Sequence, residues 1–182
     1  MKENFKKESP LLGLEGSGGG LGFFGGAASD PTYVDDVFST FLYDGNASTQ
    51  TITNGIDLSG EGGLVWAKDR SYGATHSLWD TERGATKFIA TNSSNRELSY
   101  SNSLTSFNSD GFSLGSYTIP NRNAEYTSWT FRKAPGFFDV VTYSGNGGTS
   151  ANEQQISHNL GSKPGMIIVK RTDASGHWFV FT

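Results

Sequence analysis

The chain has 182 residues, of which 24 are glycine, with 13% aromatic and only 18% charged residues and a net charge of −4. Cysteine is absent, which excludes disulfides, zinc fingers and thiol catalysis. No basic stripe is present to displace counterions from phosphate, so nucleic acid is not an expected partner; Lys2, Lys6 and Lys7 are offset by Glu3 and Glu8 and read as a solvated terminus.

Many turn formers, aromatic-rich short runs and few long charged side chains point to an all-β antiparallel sandwich rather than a helical bundle. The length suffices to bury a core. No run approaches the roughly 18 apolar residues of a membrane span. The start, MKENFKKESPLLGLEG, lacks the continuous apolar stretch and small-residue cleavage site of a signal peptide.

Residues 1–36 form a first zone, dense in glycine from Gly16 to Gly26. Such a segment loses too much backbone entropy to fold alone. It nevertheless carries apolar beads, Leu11, Leu12, Leu14, Leu21, Phe23 and Phe24, for which a plain linker has no use. The reading is an extended anchor that orders on docking to a partner; the alternative is a flexible leader.

Residues 37–136 alternate short apolar runs with turn signals. FSTFLY (38–43) reads as a strand, with Asp44-Gly45-Asn46 as a hairpin-type turn and a further strand over 49–53. GLVWAK (63–68) is a continuous apolar run, expected to be a strand buried on both sides, with HSLWD (76–80) as its partner. Strands follow at 87–90, 106–107 and 112–114, with Ser109-Asp110-Gly111 as a turn. YTSWTF (126–131) alternates, with Tyr126, Ser128 and Thr130 on one face and Thr127, Trp129 and Phe131 on the other. Residues 81–85 are a candidate helical turn.

Residues 137–182 repeat the second zone. FSTFLYDGN (38–46) matches FDVVTYSGN (138–146), and TITNGI (51–56) matches QISHNL (155–160). GLVWAK (63–68) matches GMIIVK (165–170), and HSLW (76–79) matches HWFV (177–180). Ordered matches at one spacing of about 100 residues mark an internal repeat. The second copy stops after its fourth match. Half a sandwich exposes a sheet edge and an apolar face, so the expectation is a natural chain that continues past Thr182. The alternatives are that the half-copy closes the first sheet or pairs with a neighbouring subunit.

Candidate chemistry is sparse. His76, His158 and His177 lack metal-ligand spacing, and a structural role is expected for His76 and His177. Asp35-Asp36 is followed by no calcium loop and reads as a solvated acidic corner. Asp80 and Glu82 could form an acid pair for glycoside cleavage, but a salt bridge with Arg83 or Lys87 is the simpler reading. The glycines of residues 16–26 lack the context of a phosphate loop. Of the tryptophans, which could stack on sugars, Trp66 and Trp129 are expected in the core, while Trp79 is more open and Trp178 is not assigned. No catalytic, cofactor-binding or metal residue is singled out.

The segments GGLVWAKDRSYGATHSLWDTERGATKFIATN, LTSFNSDGFSLGS and FRKAPGFFDVVTYSGNG resemble a repeat of tail-fibre-like and other virion structural proteins of marine bacteriophages, including those of cyanobacteria. Residues 33–182 carry the likeness. Its most specific elements are D-T-x-R-G-A-T-K (80–87) and S-D-G-F-S-L-G (109–115). The resemblance implies a lectin-like jelly-roll sandwich and a non-enzymatic protein without cofactors, made in the host cytoplasm and located in the virion tail. It implies other tail proteins near the adaptor, nozzle or portal as partners, self-assembly as a homotrimer, and host-surface polysaccharide as a further candidate. The alternatives are a lectin-like carbohydrate-binding module, another appendage (head fibre, neck whisker or capsid decoration), or a tailspike-like glycanase whose catalytic part lies elsewhere. No family site residues are carried over.

Overall fold

The computed structural model describes residues 32–147 and 153–182. The fold is organised around β9 (Glu125–Arg132), whose alternation sorts two faces as the sequence predicts: Tyr126, Ser128 and Thr130 are buried, and Thr127, Trp129 and Phe131 lie half-buried on the other side. β9 pairs antiparallel with β1 (Phe38–Asp44) along one edge, from Phe38 opposite Phe131 to Asp44 opposite Glu125. Along its other edge it pairs with β3 (Gly63–Asp69), placing Trp66 opposite Trp129. β4 (Ser77–Asp80) pairs with β3, as expected, and is followed outward by β5 (Lys87–Ala90) and β6 (Leu98–Ser99). The large sheet therefore runs β1-β9-β3-β4-β5-β6.

A second sheet contains β2 (Gln50–Thr53), β7 (Leu104–Asn108) and β8 (Gly111–Leu114), in the order β2-β8-β7. The Ser109-Asp110-Gly111 turn joins β7 to β8 as predicted. The inward faces of the two sheets close over a core that includes Tyr43, Ile52, Val65, Trp79, Phe112 and Tyr126. Each large apolar side chain fully withdrawn from water there contributes about 1.5–3 kcal/mol. The result is an all-β antiparallel sandwich, with helix among the described residues confined to single turns such as α1 (Val34–Val37).

Three expectations change. The chain at Asp44-Gly45-Asn46 is no hairpin: β1 pairs with β9 and β2 with β8, so the connection crosses between sheets. The crossing is tied down by Asn121, which is fully buried. Its Nδ2 donates to Gly115 O at 2.8 Å and also to Ser48 O, while its Oδ1 accepts from Asn46 N at 3.0 Å. A Cβ on Gly45 would lie 1.9 Å from Arg122 O, so the crossing backbone packs too closely for any side chain. β3 is not buried on both sides either: Gly63, Val65, Ala67 and Asp69 are buried, whereas Leu64, Trp66 and Lys68 are half-buried. Lastly, residues 81–83 form a turn and no helix, with Gly84 N donating to Asp80 O at 3.1 Å.

The second copy is built differently. β10 (Ile167–Lys170) and β11 (Trp178–Phe181) form an antiparallel hairpin. Residues 138–143, which match β1, and residues 155–160, which match β2, form no strand. The physical reason lies in the pairing scheme: β3 and β4 bond to each other, whereas β1 depends on β9 and β2 on β8, both from the later part of the repeat. The hairpin also corrects the last sequence match. In the first copy Val65 faces Trp79; in the second Ile167 faces Phe181. Trp79 therefore corresponds to Phe181, one residue beyond the HSLW–HWFV match, and that shift moves every side chain of β11 to the opposite face.

Candidate functional site

The outward side of the large sheet carries an aromatic strip. Strand alternation places Phe38, Trp66, Trp129 and Phe131 there, and cross-strand pairing brings their rings together. Trp66 and Trp129 have ring centroids 5.3 Å apart and tilted, and Phe38 lies 4.8 Å from Phe131. At one end Phe138 and Phe137, from the connection into the second copy, pack on Phe131 at 5.4 and 6.3 Å. At the other end Leu42 remains 59% exposed. The tryptophan expectation is thus reversed. Trp79, read as more open, is fully buried in the core, whereas Trp66 and Trp129, read as core, are half-buried on the outer face. Both faces of this wide sheet carry apolar residues, so alternation alone does not reveal which one meets the second sheet.

The acidic element at residues 80–87 is a structural clip. Asp80 is buried, and its Oδ2 lies 2.6 Å from Arg83 Nε, while its Oδ1 accepts from Arg83 N at 2.9 Å. Arg83 also donates to Glu97 Oε2 at 3.1 Å and to Leu78 O at 3.2 Å. Glu82 pairs with Lys133 at 2.7 Å and not with Lys87, and that hydrogen bond raises the Lys133 pKa above its usual value. Asp80 and Glu82 are therefore paired with different cations, Arg83 and Lys133. The S-D-G-F-S-L-G element is likewise architectural, since it supplies the β7–β8 turn and the buried Phe112 and Leu114.

Two grooves are open and shallow. One, of about 470 Å³, lies beside Leu58, Glu61, Thr81, Glu82 and Phe107. The other, of about 210 Å³, sits where the copies meet, between Lys133, Asp139 and His158. Lys133 bridges Glu82 and, at 3.5 Å, Asp139, whose Oδ2 accepts from Asn159 N at 2.7 Å. Further contacts join the copies at the far edge of the sheet. Trp178 Nε1 donates to Ser93 O at 3.1 Å, Gly176 N donates to Ser94 O at 2.9 Å, and Glu97 N donates to Thr172 O at 3.0 Å.

The histidines stand apart. The backbone of His76 bonds to Asn92 Oδ1 and Thr91 N, and burial, aided by Lys68, lowers its ring pKa. His158 is exposed, with Nδ1 accepting from Leu160 N at 3.3 Å, and His177 is also exposed. Asp35 is exposed in the first turn of α1. Among the described residues no group of three metal-ligating side chains converges, and no helix is long and apolar enough to cross a membrane. Leu11, Leu12, Leu14, Leu21, Phe23 and Phe24 lie outside the described residues. The ion pair between buried Asp69 and half-buried Arg122, 2.9 Å between Oδ2 and Nε, has no motif in the sequence; a carboxylate at an inward position of β3 is its only signal.

No curated protein and no solved structure matches the chain. One family model matches it twice, over residues 34–137 and again over residues 133–182, so that both copies of the internal repeat are covered. The chain belongs to that family, a domain of unknown function designated DUF7483.

Proposed function

We propose that this protein is a structural component of a bacteriophage virion, a tail fibre in which consecutive β-repeats build the shaft and the glycine-rich N-terminal segment docks to the tail. The observation that carries this reading is the direct contact between successive copies. The hairpin of the second copy bonds to residues 93–97 of the first, and Lys133 bridges carboxylates on either side of the junction. A chain that lays one repeat against the next through main-chain bonds and ion pairs suits an extended, load-carrying rod. The resemblance to marine phage fibre proteins points the same way. In this reading the beads Leu11, Leu12, Leu14, Leu21, Phe23 and Phe24 fill pockets on a tail protein, and three copies assemble about the fibre axis. Deleting residues 1–30 is expected to remove the protein from particles without unfolding its sandwich; incorporation at the wild-type level would refute the anchoring role.

A second reading, a lectin-like module for host-surface polysaccharide, is favoured by the Trp66–Trp129 pair on the outer face. Binding on a glycan array that is lost in Trp129→Ala, while the melting temperature holds, would favour it.

A further inference from the structure

The second copy meets the first along residues 93–97, a ledge held in shape by bonds within the first copy. Ser93 N donates to Ala90 O at 3.3 Å, and Asn95 N donates to Ser93 Oγ at 3.1 Å. Beside them Asn92 Oδ1 accepts from His76 N at 3.1 Å, and Glu97 Oε2 accepts from Arg83, which buried Asp80 holds in turn. The ledge presents two carbonyls and one N–H to the next repeat. Trp178 Nε1 donates to Ser93 O at 3.1 Å, and Ser94 O accepts from Gly176 N at 2.9 Å and from Lys170 Nζ at 3.3 Å. Glu97 N donates to Thr172 O at 3.0 Å.

The ladders identify the counterpart of this docked loop in the first copy. Ala67 faces Ser77 as Val169 faces Phe179, which aligns Lys68 with Lys170 and His76 with Trp178. Seven residues lie between these ends in both copies, 69–75 and 171–177, and no position among them has the same residue in both. The first loop folds about Asp69, whose Oδ1 accepts from Ser71 N and Tyr72 N, each at 2.9 Å. Arg171, at that position in the second loop, has no acceptor to offer. The lysine is common to both but is used differently. Lys68 Nζ donates to Asp69 O and, at 3.2 Å, to Tyr72 O within its own loop, whereas Lys170 Nζ donates to Arg171 O at 2.8 Å and also reaches Ser94 O. The seam bonds at Gly176 and Glu97 run from main chain to main chain and carry no preference for a side chain. With the lysine shared, the indole is what distinguishes one loop from the other at the ledge.

We propose that Trp178 is the specificity-determining residue of a docking ledge at residues 93–97. The ledge accepts a repeat whose loop ends in tryptophan and rejects one of the first copy's own type, which ends in histidine, so the two copies are not interchangeable in order. The indole supplies a donor fixed on a rigid ring, a broad apolar face, and a seat for Lys170, whose Nζ lies 6.0 Å from the ring centre. A histidine there offers less ring area and a weaker seat for the cation. The inference is independent of the virion assignment, since it rests on the contact between the two copies alone.

The test is residue-resolved amide exchange by NMR on the full-length chain, with the Glu97 amide as reporter of the seam and the β10–β11 ladder amides as reporters of the hairpin. In Trp178→His the Glu97 amide should exchange about tenfold faster, the factor that one hydrogen bond and part of an indole's buried area supply. The β10–β11 and β3–β9 ladder amides should exchange as in the parent chain. Trp178→Phe, which keeps ring area but has no donor, should fall between the two. Replacing residues 171–178 by the first copy's DRSYGATH (69–76) should release Glu97 at least as far as Trp178→His does. Unchanged protection of Glu97 in Trp178→His, or in the loop replacement, would overturn the proposal. Equal losses at Glu97 and in the β10–β11 ladder of Trp178→His would overturn it too, because the tryptophan would then hold the hairpin together and not select the seam.

Discussion

The guanidinium of Arg83 lies 2.6 Å from the carboxylate of Asp80, and both side chains are almost completely withdrawn from solvent, at 6% and 4% exposure. The pair closes the turn after β4 and, through Glu97 and Leu78 O, fastens it to two further points of the chain. Removing one partner strands the other charge without water. Asp80→Ala and Arg83→Ala should therefore each cost about 3–5 kcal/mol, measured by urea denaturation. Arg83→Lys should recover little, because an ammonium cannot span three acceptors in the geometry of a planar fork.

Trp79 and Trp66 should respond in opposite ways to truncation. Trp79→Ala empties the centre of the core and should cost about 3–5 kcal/mol. The indole nitrogen of Trp79 has no hydrogen-bond partner among the described residues, so Trp79→Phe loses volume but no hydrogen bond and should cost far less than Trp79→Ala. Trp66→Ala, on the half-buried outer face, should also cost less than Trp79→Ala. A larger cost for Trp66→Ala than for Trp79→Ala in chemical denaturation would mean that the two faces have been assigned the wrong way round.

Tyr43 should make the fold sensitive to alkali. Burial, with smaller contributions from Tyr126 and Asp69, raises its pKa well above 10, and its hydroxyl donates to Pro120 O at 3.1 Å. Its unfolded-state pKa is about 10, so its contribution is complete below that pH. As pH rises past 10 the unfolded chain releases a proton that the folded one retains, and stability falls. Burial acts in the same direction on Tyr126, and Tyr117 is pushed up to about 12, first by burial and then by its hydrogen bond with Tyr100. Tyr43→Phe should lower stability by about 1 kcal/mol at pH 8 yet reduce the further loss between pH 8 and 11, as read from urea midpoints.

Asn121 should behave as the keystone of the crossing between sheets. Asn121→Ala leaves Gly115 O, Ser48 O and Asn46 N without their partner. A loss of about 2–4 kcal/mol is expected, and Asn121→Asp should fare no better, because a carboxylate cannot donate to the two carbonyls.

Strands are legible where the residue pattern itself carries them: the alternation of β9, the apolar run of β3 and the turn glycine that opens β8. Pairing partners are less so. Asp44-Gly45-Asn46 has the composition of a hairpin turn, yet the chain there crosses to the other sheet, because β1 finds its partner some 85 residues away in β9. β6, two residues long, has no periodicity to detect. The shared histidine of HSLW and HWFV drew the match one residue away from the ladder, since an identity in a loop says nothing about register. Asp80 pairs with Arg83, as the sequence predicts, because a carboxylate and a guanidinium three residues apart meet across a single turn.

Amide hydrogen exchange on the full-length chain tests the account most directly, since strands that find partners are protected and those that do not are open. Residues 38–44 and 125–132 should exchange only through global unfolding, the β10–β11 hairpin should show intermediate protection, and residues 138–143 and 155–160 should exchange within seconds. Protection of residues 138–143 equal to that of β1 would contradict the pairing scheme, in which these residues have no ladder partner among the described residues.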